Sequence, residues 1–397
     1  MRIAVIGGGA AGFFAAVTAA KIKNNSVFIF EKTGKVLSKV KVSGGGRCNV
    51  THACFDSRSL VDHYPRGNKE LRNAFHRFNV NNTVEWFEAR GVKLKAEHDG
   101  RMFPVTDNSS TIINCLMSEA GKHGVSIIYN SPVEKIIRNK SGFELTSGKE
   151  IFSFDKVIVT SGGSPSQANY NWLTATGHTI IPPAPSLFTF NIPLSPLKGL
   201  EGVSVTNAAV RIKDFKRSES GPVLITHWGI SGPAVIKLSA WSARVLKEKN
   251  YETEVYINWL PSFRPDSLIE EFLLMKKVSP TRKVAAASPF EIPNRLWERI
   301  CSLSGISDQN YADLSRQMMN KLTGNLNNFT LLQKGKTTYK EEFVTCGGIT
   351  LKEVNMQTME SKLIPGLFFA GEVLDIDGVT GGFNFQAAWT TGFIAGS

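Results

Sequence analysis

Gly7, Gly9 and Gly12 stand in the spacing G-x-G-x-x-G, with Gly8, Ala10 and Ala11 between them. Each glycine has a physical task. Gly7 permits a tight turn, Gly9 lets the backbone approach a diphosphate, and Gly12 allows a helix to pack close to a strand. The spacing has meaning only if a strand precedes it and a helix follows, and the residues supply both. Ile3, Val5 and Ile6 make a short apolar run of buried-strand length, and Phe13 to Ala20 read as a helix whose first N–H groups face an anion. A second apolar run, Val27 to Phe30, ends in Glu31, nineteen residues past Gly12, where a carboxylate can accept hydrogen bonds from ribose hydroxyls. Strand, glycine turn, helix, strand and acid together predict a bound adenine dinucleotide.

Three further stretches carry residues able to hold such a ligand. Ser43 to Thr51 contains Gly44, Gly45 and Gly46, then Arg47, Cys48 and Asn49. The glycines free the backbone to wrap a ligand, Arg47 offers a forked cation for phosphate, and Asn49 and Thr51 offer side-chain hydrogen bonds. Cys48 reads either as a redox thiol or as a small loop filler. The apolar run Lys156 to Thr160 ends in Ser161, Gly162 and Gly163, a glycine turn at a strand's carboxyl end, where ligands of open α/β sheets lie; a plain structural turn reads as well. Pro365 to Ala370 is another buried strand. Gly371 and Glu372 follow it, then Asp375, Gly378, Gly381, Gly382, Phe383 and Asn384, and an apparent helix from Phe385. An acid after a terminal strand, then glycines opening a helix, suits ribityl hydroxyls and the electron-rich edge of a flavin ring. His227, within Thr226 to Pro233, reads as a proton donor or as a packed histidine.

The elements that position these residues divide the chain. Its 397 residues exceed one ordinary core, so two or three domains are expected. Residues 70–92 read as one helix, 109–123 as another, and 133–137, 143–146 and 151–154 as a meander of short strands. Pro182, Pro183 and Pro185 make a stiff connector. Beyond them, 187–260 holds short alternating apolar runs, the pattern of a small β-barrel, and 265–323 reads as helical. Phe329 to Leu332 and Glu342 to Val344 return to the barrel and then to the first domain. The expected domains are 1–185 with 344–397, a barrel over 186–262 and 324–343, and a helical bundle over 263–323.

Composition narrows the class. Hydrophobic residues are 42% of the chain and charged ones 20%, as in a soluble globular protein, and no apolar run nears the roughly 20 residues of a membrane helix. The first strand occupies the N-terminus, leaving no signal peptide, and five scattered cysteines without a C-x-x-C pair suit a reducing cytoplasm. The net charge of +12 is spread out: 23 basic against 14 acidic residues in 1–190, and 21 against 13 in 191–340. A phosphate-rich ligand, an acidic substrate or RNA would each suit that field, with an ordinary basic surface the favoured reading over nucleic acid. No metal-ligand spacing is present.

Gly7 to Gly12, Ser43 to Thr51, Thr226 to Pro233 and Thr345 to Gly392 together resemble the bacterial YhiN/BaiN-type flavoproteins, NAD(P)/FAD-dependent oxidoreductases. The resemblance spans essentially the whole chain. It implies a discontinuous Rossmann-like FAD-binding domain of α/β class, interrupted by a β-barrel like those of translation factors that carries a small helical bundle. It also implies FAD contacts at Gly7, Gly9, Ala11, Gly12, Glu31, Lys32, Gly45, Arg47, Cys48, Asn49, Val133, Gly162, Gly371, Glu372, Gly382 and Asn384, with Ala10, Gly44, Ser161 and Phe383 beside them. The chain departs from the family at Ser164 to Tyr170, where a glycine-rich run is usual. Some members of the family act on unsaturated bile-acid intermediates, a substrate not extended to this chain.

The expectation is therefore an FAD-dependent oxidoreductase, with NAD(P)H as transient donor and a small organic acceptor. A single G-x-G-x-x-G leaves no separate nicotinamide domain, and no acid or base is assigned. A flavin-dependent RNA-modifying enzyme and a flavin-bound redox sensor are the alternatives.

Overall fold

The computed structural model describes residues 1–337 and 344–397. Met1–Ser186, together with the C-terminal segment ending at Ser397, makes one compact unit, and the segment beginning at Leu187 makes another.

The first unit is built on a seven-stranded sheet. Five parallel strands form its centre in the order Leu367–Phe369, Lys156–Val159, Arg2–Ile6, Ser26–Phe30, Ser126–Ile128. Two short antiparallel strands, Glu360–Ser361 and Val354–Asn355, extend one edge. Ile3, Val5 and Ile6 are all buried, as continuous apolar runs in parallel sheets are. Helix Ala10–Ala20 crosses between the first two strands and packs against the last helix, Phe383–Gly396. That helix pair has almost no side chain at its seam. A Cβ on Gly392 would sit 2.5 Å from Ala11 O, and one on Gly396 would sit 2.3 Å from Ala15 O. Phe14, on the first helix, then anchors an aromatic cluster with Phe78, Trp86, Phe87 and Trp389, centroids 4.5–6.1 Å apart.

The expected single helix over 70–92 is two, Asn68–Arg77 and Val80–Glu88. Phe78 is extended, and Asn79 caps the second helix by exchanging hydrogen bonds with Asn82 (3.3 and 3.0 Å). The meander forms as Lys135–Asn139, Gly142–Ser147 and Glu150–Phe154. The proline stretch is not a free connector: Ile180–Pro185 is a strand paired antiparallel to Thr345–Ile349. Its register shifts between Ile181 and Ala184, because Pro182 and Pro183 have no N–H to donate to the ladder. Nearby, Arg66 and Asp377, 9% and 0% exposed, form a buried ion pair, and the Ser186 hydroxyl donates to Asp377 as the chain leaves this unit.

The second unit carries a seven-stranded antiparallel sheet ordered Phe329–Lys334, Glu252–Asn258, Ser204–Ile212, Ser218–Thr226, Gly229–Ser231, Thr189–Asn191, Lys336–Thr337. Its two edge strands are joined through Gly335 alone, so the sheet curls until its edges meet. The sequence reading missed helix Pro233–Glu248 on this sheet, although Pro233 at its first turn and Val235, Leu238, Ser242 and Leu246 at helical spacing signal it. Helices Pro265–Val278, Asn294–Ser304 and Arg316–Asn327 occupy the region read as helical. Sheet and helices share one continuous core, in which Trp259, Phe272, Trp297 and Phe329 are buried together. The expected return through Glu342 to Val344 lies, except for Val344, outside the described residues.

His178 supplies a test of the first unit. It is 1% exposed, with Nδ1 on Thr176 Oγ1 and Nε2 on Ser361 Oγ, both at 2.7 Å. Burial holds its imidazole below the usual value of 6.5. The folded state therefore binds fewer protons than the unfolded chain just below about pH 6.5, and that part of the stability is lost as pH falls through this window. Melting temperature measured from about pH 7.5 down to about pH 5.5 is expected to fall, and His178→Gln is expected to flatten the slope.

Candidate functional site

Strand Arg2–Ile6 ends in Gly7, whose φ of 111° suits glycine; a Cβ there would lie 2.5 Å from Thr160 O. Gly12 is under a harder constraint. A Cβ on it would stand 2.0 Å from Gly7 O and 2.8 Å from Thr160 Oγ1. The first helix can meet its strand only because that atom is missing. Thr160 completes the turn by donating to Ile6 O and Gly7 O (3.0 and 2.9 Å), a role that the sequence reading did not assign. Gly9 caps the helix without a side-chain bond and has open space where a Cβ would be. The N–H groups of Ala10, Ala11 and Gly12 thus head an uncapped helix start, an anion site by its dipole and donors.

Glu31 stands beside this turn. One carboxylate oxygen accepts from Gly8 N at 3.0 Å, and the other accepts from Thr33 N and Thr33 Oγ1, both at 2.9 Å. One acceptor position is left for a sugar hydroxyl. Lys32 is exposed. Val133 is half-buried, just past Ser131, whose N–H donates to Glu31 O (2.8 Å). The adenosine end of the expected ligand therefore has its acid and its neighbouring segment together.

The stretch from 43 to 49 is more ordered than a mobile loop. A helical turn beginning at Ser38 breaks at Ser43, and Gly44 and Gly45 take left-handed conformations (φ 58° and 68°). Gly45 and Gly46 face open space. Arg47 lies over the Phe103 ring, 4.0 Å from its centroid, and pairs with Glu97 at 2.6 Å. Cys48 is fully buried with φ 63°, and burial pushes its thiol up to about 12. That environment disfavours the thiolate a redox cysteine needs and matches the filler reading. Asn49, with its amide turned to satisfy both neighbours, donates to Thr51 O (2.9 Å) and accepts from Gly382 N (3.0 Å). This bond joins the stretch to the last helix.

Gly162, after Ser161, has φ 75° and open space beside it. Ser164 to Tyr170 closes into its own turn, Ser164 N donating to the Tyr170 hydroxyl at 2.9 Å. Gly371 lies against the first helix, since a Cβ there would meet Ala11 Cβ at 2.8 Å, and its N–H donates to Thr391 Oγ1 (2.9 Å). Glu372 accepts from Thr345 N (2.8 Å) and pairs with Lys39 (2.6 Å). Lys39 was missed, and nothing sets it apart from Lys35 and Lys41 in the sequence. Gly382 caps the last helix with φ 93° and no side-chain bond. Asn384 closes the preceding loop by bonding both N and O of Gly378 (2.9 Å each). Phe383 is buried, with the rings of His52 and His63 stacked on it at 4.7 and 4.2 Å. His227 belongs to the second unit, where it is exposed. No group of three or more metal-ligating side chains occurs among the described residues.

A family model described as the HI0933-like protein Rossmann domain matches residues 1–397. The chain belongs to the HI0933-like family. Relatives match this HI0933-like chain over nearly their whole length. The 3-dehydro-bile acid delta(4,6)-reductase of Clostridium scindens is 29% identical over 100% of this chain and 98% of its own. The ribosomal RNA dihydrouridine synthase of Haemophilus influenzae is 30% identical over 98% and 96%, and that of Escherichia coli 28% identical over 98% and 95%. Among solved structures, the 3-ketosteroid delta1-dehydrogenase of Sterolibacterium denitrificans superposes with a TM-score of 0.52 at 11% identity, over 99% of this chain and 98% of that one. The fold is a Rossmann-type FAD-binding one. The residues present fit FAD: an uncapped helix start with open space at Gly9, an acid beside it, and further open glycines at Gly45, Gly46 and Gly162.

Gly12→Val forces a side chain into Gly7 O, and the helix must leave its strand. Purified variant is expected without flavin absorbance, and chemical denaturation should show a loss of about 3 kcal/mol or more. In the native protein, alkylation at about pH 8 followed by peptide mass spectrometry is expected to label half-buried Cys54 well before Cys48.

Proposed function

We propose that this HI0933-like protein is an FAD-dependent reductase that uses NAD(P)H to saturate a carbon–carbon double bond conjugated to a carbonyl. The observation that carries the reading is the union of two uncapped helix starts, at Gly9 and Gly382, held together by the close backbone approach at Gly392 and Gly396. One start suits the diphosphate and the other the electron-rich edge of the flavin ring. The names delta(4,6)-reductase and dihydrouridine synthase both describe saturation of such a bond, and these relatives align over nearly the full chain.

When bound, FAD supplies hydride transfer between nicotinamide and acceptor. The protein's share is binding and orientation. Ala10, Ala11 and Gly12 would present N–H groups to the diphosphate, and Glu31 would accept from the ribose. Glu372 is held by Lys39 and Thr345 N, where it can accept from ribityl hydroxyls. Asn49 fixes the distance between the 43–51 stretch and the start of the last helix.

A small organic acceptor is the leading reading. A uracil base within RNA is the second, supported by 46 basic against 34 acidic residues and by the two dihydrouridine synthases among the relatives. Anaerobic addition of NADH or NADPH to the purified protein should bleach the flavin band near about 450 nm. Reoxidation by a cyclic enone would then support the small acceptor, and reoxidation by uridine-containing RNA the second reading. A protein that holds no flavin would sink the proposal.

A further inference from the structure

In the second unit, strands Ser218–Thr226 and Gly229–Ser231 form a tight hairpin with His227 and Trp228 at its tip. Trp228 is 48% exposed, an uncommon position for the largest apolar side chain, and the exposed His227 ring stands 6.1 Å from it. The tip is held firmly. A Cβ on Gly229 would lie 2.1 Å from Phe190 O, so the hairpin hugs the neighbouring strand, and Ile192 N donates to Trp228 O at 2.7 Å. Two residues on, Leu194 is 91% exposed.

Two arginines bond the segment that runs on from Ile192. Arg295 donates to Gly199 O at 2.6 Å, and Arg299 donates to Pro196 O and Lys198 O at 2.5 and 2.9 Å. Both guanidinium groups are thus oriented by backbone carbonyls, with no carboxylate within ion-pair distance among the described residues. Each keeps N–H groups for an outside anion. Lys198 is exposed beside them. The backbone N–H groups of Gly199 and Glu201, and then the nearby His227 and Arg295, hold Glu201 below the usual carboxylate range, so these side chains are neighbours. Glu201 and Glu298 are the acids of this neighbourhood.

We infer that the Trp228 hairpin tip, with Lys198, Arg295 and Arg299, is a docking surface for an unpaired segment of RNA. Trp228 stacks on a base, and the cations take the flanking phosphates. A rigid aromatic and pre-oriented arginines are what single-stranded nucleic acid requires, because every base offers a π face and every nucleotide a charge. The inference rests on the RNA reading of the acceptor given above.

The test uses the full FAD-loaded protein and a fluorescein-labelled oligouridylate of about 12 nucleotides, within the site sizes of such surfaces. Fluorescence anisotropy is recorded across a salt series. Wild type should bind with a salt-dependent constant. Trp228→Ala should weaken binding about tenfold or more, and Trp228→Phe should recover most of it. Arg295→Gln should lower the slope of log affinity against log salt by about one. All three variants should keep their flavin and their melting temperature. If wild type binds and both Trp228→Ala and Arg295→Gln bind equally well, this surface is wrong while the RNA reading stands. If wild type does not bind RNA at low salt, the reading and the surface fall together.

Discussion

Everything in the first unit depends on how closely the first and last helices of the chain can approach. Ala11 O and Ala15 O face Gly392 and Gly396 with no room for even a methyl group between them. An interface of this kind gains from dispersion between closely apposed backbones, beside the packed rings of Phe14 and Trp389, and at its glycines it tolerates no added volume. Its return is geometric. Two helix starts, one at Gly9 and one at Gly382, are set at a fixed separation by atoms that cannot change rotamer. The same economy recurs at Gly12 against Gly7, where helix meets strand.

Polar bonds then tie the intervening chain to this frame. Gln386, fully buried in the last helix, accepts from Thr51 Oγ1 (2.6 Å) and Thr83 Oγ1 (3.0 Å) and donates to Thr390 Oγ1 (3.1 Å). Trp389 Nε1 donates to Val50 O (2.9 Å). Each of these groups would be costly to bury unpaired, so they specify one docking of the 49–52 segment rather than many. The Asn49 bond to Gly382 N is the outermost member of the same set. The site is therefore assembled by the core behind it.

Much of this was legible in the residues because its causes are local. A glycine that must turn, a strand that must be apolar throughout and an acid at a strand end all leave marks at fixed spacing, and Gly7, Gly12, Glu31 and Gly382 stand in the arrangement those marks foretell. The missed features have causes distant in sequence. Lys39 matters through Glu372 and Thr160 through Gly7, and no pattern around either lysine or threonine announces a partner more than a hundred residues away. Helix Pro233–Glu248 was obscured differently: its alanines and serines dilute the apolar period, and the strands flanking it set the texture of the region. The break at Asn79 did leave a mark, a capping residue inside an apolar helical pattern, which an eye following periodicity alone passes over.

The placement of the last helix also orders events in time. The turn at Gly7 precedes the whole second unit along the chain and the helix from Phe383 to Gly396 follows it, so the second unit is made between them. Chains fold domain by domain as they are synthesised. The second unit can bury its own core on the ribosome while the first strand, helix and acid wait, with their apolar seam uncovered. Ala11 and Ala15 find their glycines only after the second unit has been made, and only then is there a complete place for a dinucleotide. Loading thereby depends on synthesis of that helix, and a chain that stops short of Phe383 holds only half of the site.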